Sequence, residues 1–351
     1  MLIREGDCGE AEGFLRKSLK LKQEIGSPQV EILCKMALFM LEKDRYCPGF
    51  TSQSGSATSP PDNLPDSPAG CIEKAKKLIQ PNQGPEQLLL TYTEGRFLLE
   101  SDPASSLKVF QSLGSNSEKM GIRKYSFLAN VGEGMALEQM GQLQPAREAF
   151  KRAVDYAEQI RESLDERARL KFLDGEEILG IKHILPFKSL ARVLLKLGMN
   201  EESLKVAEYT KSRNFSEALA RRNPQSNADA PQEVLEKDAN LNNTLAGLLR
   251  ELELAELNNS SDTVIRLKAD ISRERNALQD HVKGLRQKYP LFALTKYPEP
   301  VPLSQTGLGK SELALVYDVT DAGILIYLVE GQRLVKATMK QISRRKLESL
   351  V

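Results

Sequence analysis

The sequence predicts a mainly α protein: an α-superhelix of stacked helix pairs, then a helical hairpin, then a short partial α/β element. Three observations carry this. Over residues 1–222, paired helical stripes recur in which small residues flank large rings. Over residues 223–289, two long leucine-rich stretches space their apolar residues by threes and fours. From Pro290 to Val351 the period shortens to that of strands, with prolines at the junction. Composition agrees. Hydrophobic residues make up 40% and charged residues 28%, the balance of a folded chain. Trp is absent and aromatics are 6%, which suits close helix packing better than an all-β core.

The clearest pair lies between Tyr125 and Ile160. Leu128, Val131, Gly134, Leu137 and Met140 line its first helix, and Gly141-Gln142 breaks it. Ala146, Phe150 and Ala153 share one face of the second. Small residues on either side of one ring let two helices approach while the ring fills the gap. No proline follows Tyr156, so this helix is expected to run on to Glu166.

Upstream, Leu89, Tyr92, Gly95 and Leu98 precede Asp102-Pro103 and then Ser106, Phe110 and Leu113. Ile32 to Leu41 reads as a first helix, and Cys71, Ala75 and Leu78 as its second. Ala11, Leu15 and Ser18 follow Gly6-Asp7 as a second helix without a partner. Downstream, Phe187, Leu190, Ala191 and Leu194 form a first helix. Gly198 stops it, and Ser203, Ala207 and Thr210 take the second-helix positions. Residues 45–70 are rich in Ser, Pro, Gly and Thr and bury too little to offset their ordering entropy, so they read as a disordered insertion.

Asn223 to Pro231 is a linker. One long helix follows with Leu235, Leu241, Leu245, Leu248, Leu252 and Leu254. A second carries Val264, Leu267, Ile271, Leu278, Val282 and Leu285, after a turn at Asn258–Asp262. Their spacing predicts an antiparallel coiled-coil hairpin. Leu313–Val319, Ile324–Val329 and Leu334–Thr338 read as three strands, joined at Asp321–Gly323 and Glu330–Gln332. Ser343 reads as the N-cap of a helix starting at Arg344.

The unit from Tyr125 to Ile160 resembles the tetratricopeptide repeat, of about 34 residues. The family's small residue falls on Gly134, and its Ala, aromatic and Ala positions fall on Ala146, Phe150 and Ala153. The resemblance implies a right-handed superhelix whose concave side is lined by first helices. The last 60 or so residues look like the beginning of a CHAT domain, the caspase-like module often fused behind such repeats. Tyr289 to Leu294, Pro298 to Leu303, Leu313 to Tyr317 and Ile324 to Val329 carry that likeness, as does their order after the repeats and hairpin. An intact CHAT domain is a cysteine protease. It needs a thiolate nucleophile, a His to take the thiol proton and donors for the oxyanion. No His or Cys follows His281, and all four cysteines precede residue 72, so no catalytic residue carries over. The resemblance therefore implies no enzyme in this chain, and a fragment of a repeat–CHAT protein.

These readings set the functional expectations. The chain is expected to be a cytoplasmic protein-interaction scaffold, binding a protein or peptide in the concave groove. Arg123, Asn130, Lys188 and Arg192 are its candidate partner-binding face. The alternative is the regulatory part of a caspase-like cysteine protease that cleaves a partner protein. No cofactor and no metal site are expected: Cys8, Cys34, Cys47 and Cys71 lack metal-knuckle spacing and are expected to be reduced. Net charge is +1, with both signs interspersed, which argues against direct nucleic-acid binding. No apolar run reaches the roughly 18 residues of a membrane span. Gly307-Leu308-Gly309-Lys310-Ser311 fails as a P-loop, because Ser304 stands where a Gly is needed. Asp174, Glu176 and Glu177 read as acidic residues near a helix start, and His183 as a packed residue.

Overall fold

The computed structural model describes residues 8–25, 29–46, 67–80, 84–164, 166–169, 172–175, 177–222, 230–258, 260–299, 302–342 and 346. The expected insertion therefore lies almost wholly outside the described residues, as do Glu176, most of the linker, and Ser343 with Arg344. The protein is mainly α, with helices packed in sequential pairs and a small three-stranded antiparallel sheet. It divides into two compact units, Met1–Lys119 with Leu128–Met140, and Met120–Phe127 with Gly141–Val351.

The first unit holds α1 (Cys8–Glu24), α2 (Val30–Tyr46), α3 (Pro68–Leu78), α4 (Gly84–Leu98), α5 (Pro103–Lys119) and most of α6 (Arg123–Gln139). Helix starts follow local chemistry. Ser67 Oγ accepts a bond from the Gly70 N–H at 3.1 Å, and Asp102 Oδ1 accepts one from the Ser105 N–H at 3.1 Å. A proline follows each cap, where its missing N–H costs nothing. α2 packs on α3 and α4, and α4 on α5. Phe110 of α5 is fully buried and locks this stack. A Cβ on Gly95 would lie 2.8 Å from its ring, and one on Gly132 only 2.4 Å away. The glycines are there so that two backbones can close on one ring. Cys34 and Cys71 are buried free thiols, and burial pushes Cys34 up to about 12. Cys8 is disulfide-bonded, so the expectation of four reduced cysteines fails there.

The second unit begins with the first turn of α6 and continues through α7 (Leu143–Glu162) and the short helices α8 (Glu166–Arg169) and α9 (Phe172–Gly175). α7 stops at Glu162, a turn earlier than the sequence suggested. A two-stranded hairpin, β1 (Glu177–Ile178) and β2 (Ile181–Lys182), then occupies a stretch the sequence reading left without strands. Leu179 and Gly180 both have positive φ, 49° and 84°, as a tight two-residue hairpin turn requires. His183 follows and is packed as expected: it stacks on Phe172 at 3.9 Å and its Nδ1 meets the Phe172 carbonyl at 3.1 Å. α10 (Leu185–Lys196) packs against α7 and α11 (Asn200–Arg222).

The hairpin is α12 (Gln232–Leu257) and α13 (Ser261–Lys288), followed by a short α14 (Pro290–Lys296). Leu245, Leu249 and Leu252 meet Leu267 and Ile271 in its core. β3 (Leu313–Thr320), β4 (Gly323–Glu330) and β5 (Arg333–Lys340) form the sheet in the order β3-β4-β5. Gly323 makes the first turn possible: its φ is 145°, and a Cβ there would meet the Lys340 carbonyl at 2.3 Å.

Candidate functional site

In the second unit, repeat helices and the C-terminal sheet meet directly. Leu325, Tyr327 and Val329, alternate residues of β4, form one buried cluster with Ala191 of α10 and Leu204 and Ala207 of α11. Alternation puts one face of β4 inward, and the small side chains of Ala191 and Ala207 leave room for it. The polar centre of the contact is Ser203. Its hydroxyl donates to the Ala191 carbonyl at 2.6 Å, which uses its one proton. Tyr327 must therefore donate its own proton to Ser203 Oγ, 2.7 Å away. Burial pushes the Tyr327 phenol up to about 12, so it remains a donor throughout the neutral range.

The rim of this contact carries charge. Lys188 of α10 donates to the Val319 carbonyl at 2.5 Å and lies 3.8 Å from Asp318 Oδ1. Asp318 is 7% exposed, and its Oδ2 has no hydrogen-bond partner. Burial holds its carboxyl above the usual range, against the pull of Lys188 and Lys211. The Lys211 ammonium sits 5.8 Å above the Tyr317 ring.

The residues expected on the partner-binding face are placed as follows. Lys188 is engaged with the sheet. Arg192, one turn on, is 9% exposed and donates to Ser189 Oγ at 3.3 Å. Arg123 reaches the hairpin, donating to the Leu249 carbonyl at 3.4 Å and to Glu256 at 3.1 Å. Asn130 is buried in the first unit. α10, which carries Lys188 and Arg192, packs against α7, α11 and the sheet and is buried on nearly every side.

A second polar cluster lies where α12, α13 and α14 meet the end of α7. Asp238 of α12 is fully buried. It receives the Tyr297 hydroxyl at 2.7 Å and the Lys296 ammonium at 2.9 Å, with His281 Nε2 3.4 Å away. Asn242, one turn along, donates to the Asp238 carbonyl at 2.8 Å and accepts from Arg169 at 2.5 Å. Arg169 also donates to the Glu162 carbonyl at 2.9 Å, closing the network onto α7. Burial, with Lys237 and Lys296, holds the His281 imidazole below its ordinary value despite Asp238. Burial and Asp238 push the Tyr297 phenol well up. Carboxylate, imidazole, amine and phenol together are acid–base groups. A general base must reach a substrate proton, however, and Asp238 presents no surface. The cluster acts as a compensated buried charge that ties five helices together.

Sequence reasoning missed this cluster, though a signal was present. Leu235, Asp238, Asn242, Leu245, Leu249 and Leu252 follow one another by three and four, the seam of a coiled coil. Two polar residues in that seam mark a buried polar contact. The leucines chosen instead include Leu254, which is 60% exposed.

No helix among the described residues is long and apolar enough to cross a membrane, and no group of metal-ligating side chains is found among them. No family model matches the chain, and no curated protein or solved structure matches it.

Proposed function

We propose that this chain is a protein-interaction scaffold of the tetratricopeptide type, whose last helix pair is specialised to carry a CHAT-like α/β element. The observation that carries the proposal is the residue of α11 that matches Phe110. The first unit fills its helix pair with Phe110, whereas the matching position here is Ala207, and the buried ring of that cluster is Tyr327 from the sheet. A repeat altered in this way exchanges a free surface for a fixed passenger. The first-unit repeats then supply the partner contact, through a protein or peptide segment laid along their helices.

The same observation favours one alternative, the regulatory portion of a caspase-like cysteine protease. A repeat array grasping the first strands of a catalytic module is suited to transmit partner binding to it. Cross-linking of the native protein in its own cells, followed by mass spectrometry, tests the scaffold. Partner peptides attached to residues 30–140 are expected, and a native protein yielding no inter-protein cross-link would refute it. Intact mass separates the two readings. A product near 39.1 kDa favours the scaffold. A heavier one whose added part bears a His and a Cys favours the protease. Thiol-dependent peptide hydrolysis by this chain alone, lost on changing one of its cysteines, would overturn both.

A further inference from the structure

We infer that the α12–α13 hairpin is a latched arm, held along the repeat helices by arginines and free to tilt off them as one body while its buried base stays closed. The hairpin holds itself together. Its cluster of Leu245, Leu249, Leu252, Ala255, Leu267 and Ile271 draws every buried member from α12 and α13, as do Leu248, Val264 and Leu278 packed against it. No residue of α6 or α7 belongs to that cluster, so the two helices keep their core whether or not they lie on the repeats.

The base is anchored in another way. Leu285 of α13 is buried with Phe292 and Ala293 of α14, and Val234 and Leu235 of α12 pack against them. Beside this apolar cluster sits the fully buried Asp238 with its Tyr297 and Lys296 partners. Salt screens exposed charges and reaches neither a buried apolar contact nor a buried pair to the same degree.

Farther along the hairpin, arginines make the bonds to the repeats. Arg275 of α13 grips Glu162 at the end of α7, with Nη2 at 2.6 Å and Nε at 3.1 Å. Arg250 of α12 donates to the Ser163 carbonyl at 3.2 Å. Near the tip, Arg123 from the first turn of α6 donates to Leu249 and Glu256 of α12. Gly121 makes room for this contact, because a Cβ there would lie 2.5 Å from the Glu256 Cβ. The Arg275 and Glu162 side chains are 38% and 31% exposed, and pairs so open to water stabilise little. Letting go leaves no charge stranded. Glu256 keeps Lys268 of its own hairpin at 3.3 Å, and the freed arginines and Glu162 turn to water. The sheet offers the contrast: Leu325, Tyr327 and Val329 fix it to α10–α11 through an apolar core that salt does not weaken.

Pulsed dipolar spectroscopy of the full chain tests the inference. Spin labels on genetically encoded azide side chains would replace Lys151 of α7 and Asp262 in the first turn of α13, both exposed. At 0.1 M salt, with a screening length of about 10 Å, one narrow distance is expected; at 1 M, with about 3 Å, a second and longer population should appear. The double variant Arg123→Ala, Arg275→Ala should raise the open population about tenfold at 0.1 M salt, the worth of two such ion pairs. Far-UV circular dichroism and the hydrogen exchange of α14 should stay unchanged in both cases, because the hairpin core and its base are untouched. A distance that ignored either the salt or the double variant would overturn the inference, since packing and not the arginines would then hold the arm. So would opening accompanied by lost helix or by freed α14 amides, which would mean that the hairpin melts and does not tilt.

Discussion

Helix pairs α4–α5 and α10–α11 share a frame and differ in one residue that changes what they can do. In each, a serine at the start of the second helix donates to a carbonyl of the first: Ser106 to Gly95 at 2.8 Å, Ser203 to Ala191 at 2.6 Å. Four residues later the pairs diverge. Phe110 fills α4–α5 from within, whereas Ala207 takes the matching position of α10–α11 and Tyr327 from β4 joins the core beside it. A repeat that packs its own ring is complete once its neighbours are stacked. A repeat that packs another element's ring is complete only when that element is docked.

The largest effects should come from removing the two rings. Phe110→Ala and Tyr327→Ala should each cost about 3–5 kcal/mol in denaturant unfolding, the usual range for a buried aromatic. They should differ in kind. Hydrogen exchange should show Phe110→Ala loosening α4 and α5 while the sheet stays protected. Tyr327→Ala should release β3–β5 and leave α4–α5 unchanged. If Tyr327→Ala left the sheet amides as protected as before, the docking argument would fail. Ala207→Phe sharpens the contrast, because a ring supplied from within should displace Tyr327 and expose the sheet in the same way.

Next comes the space around Phe110. Gly132→Ala sets a methyl 2.4 Å from atoms of the fully buried Phe110 ring, so a loss of about 1–3 kcal/mol is expected. Gly141→Ala, where no atom lies within 4 Å, strains only a backbone φ of 73° and should cost less. Equal losses at the two glycines would mean that packing against Phe110 is not what fixes Gly132.

The helices, their order and the three strands were legible because a stripe of 3.6 or 2 residues is written locally. Phe110, Phe150 and Ala207 stood out for the same reason. What covers a stripe is not local. Nothing near Lys188 or Arg192 announces that a strand over 100 residues later will lie against α10. The β1–β2 hairpin escaped because two-residue strands carry no period, although Leu179-Gly180 is a turn signal. Asp238 and Asn242 escaped because the seam of that helix was traced through its leucines alone.

A smaller effect separates the packing and polar parts of the sheet contact. Tyr327→Phe keeps the ring and removes the proton given to Ser203, whose own proton is committed to Ala191. The loss should be about 1 kcal/mol, the ordinary net value of one buried hydrogen bond. Thermal unfolding of Tyr327→Phe beside Tyr327→Ala divides the ring from the hydroxyl. A Phe variant as damaged as the Ala variant would mean that the hydroxyl, not the ring, holds the sheet.

The subtlest expectation is that the two polar clusters of the second unit respond to pH in opposite directions. The Asp318 carboxyl is raised by burial above its unfolded value of 3.8, so the folded state holds its proton more tightly. Its contribution is full below that value and is lost as pH rises through the folded pKa. The His281 imidazole is lowered by burial below 6.5, so its contribution is full above that value and is lost as pH falls. Acidification from neutrality should therefore loosen the α12–α13–α14 junction before it affects the sheet, and protonation of Asp318 should then tighten the sheet contact. Hydrogen exchange across a pH series, corrected for intrinsic rates, reads both at once. Asp318→Asn should abolish the acid tightening and leave the sheet at least as protected at neutral pH, since the carboxylate oxygen it replaces has no partner. A sheet that loosened in Asp318→Asn at pH 7 would show that the ion pair with Lys188 outweighs the burial of the charge, and the apolar contact around Tyr327 would then have to share its role with that pair.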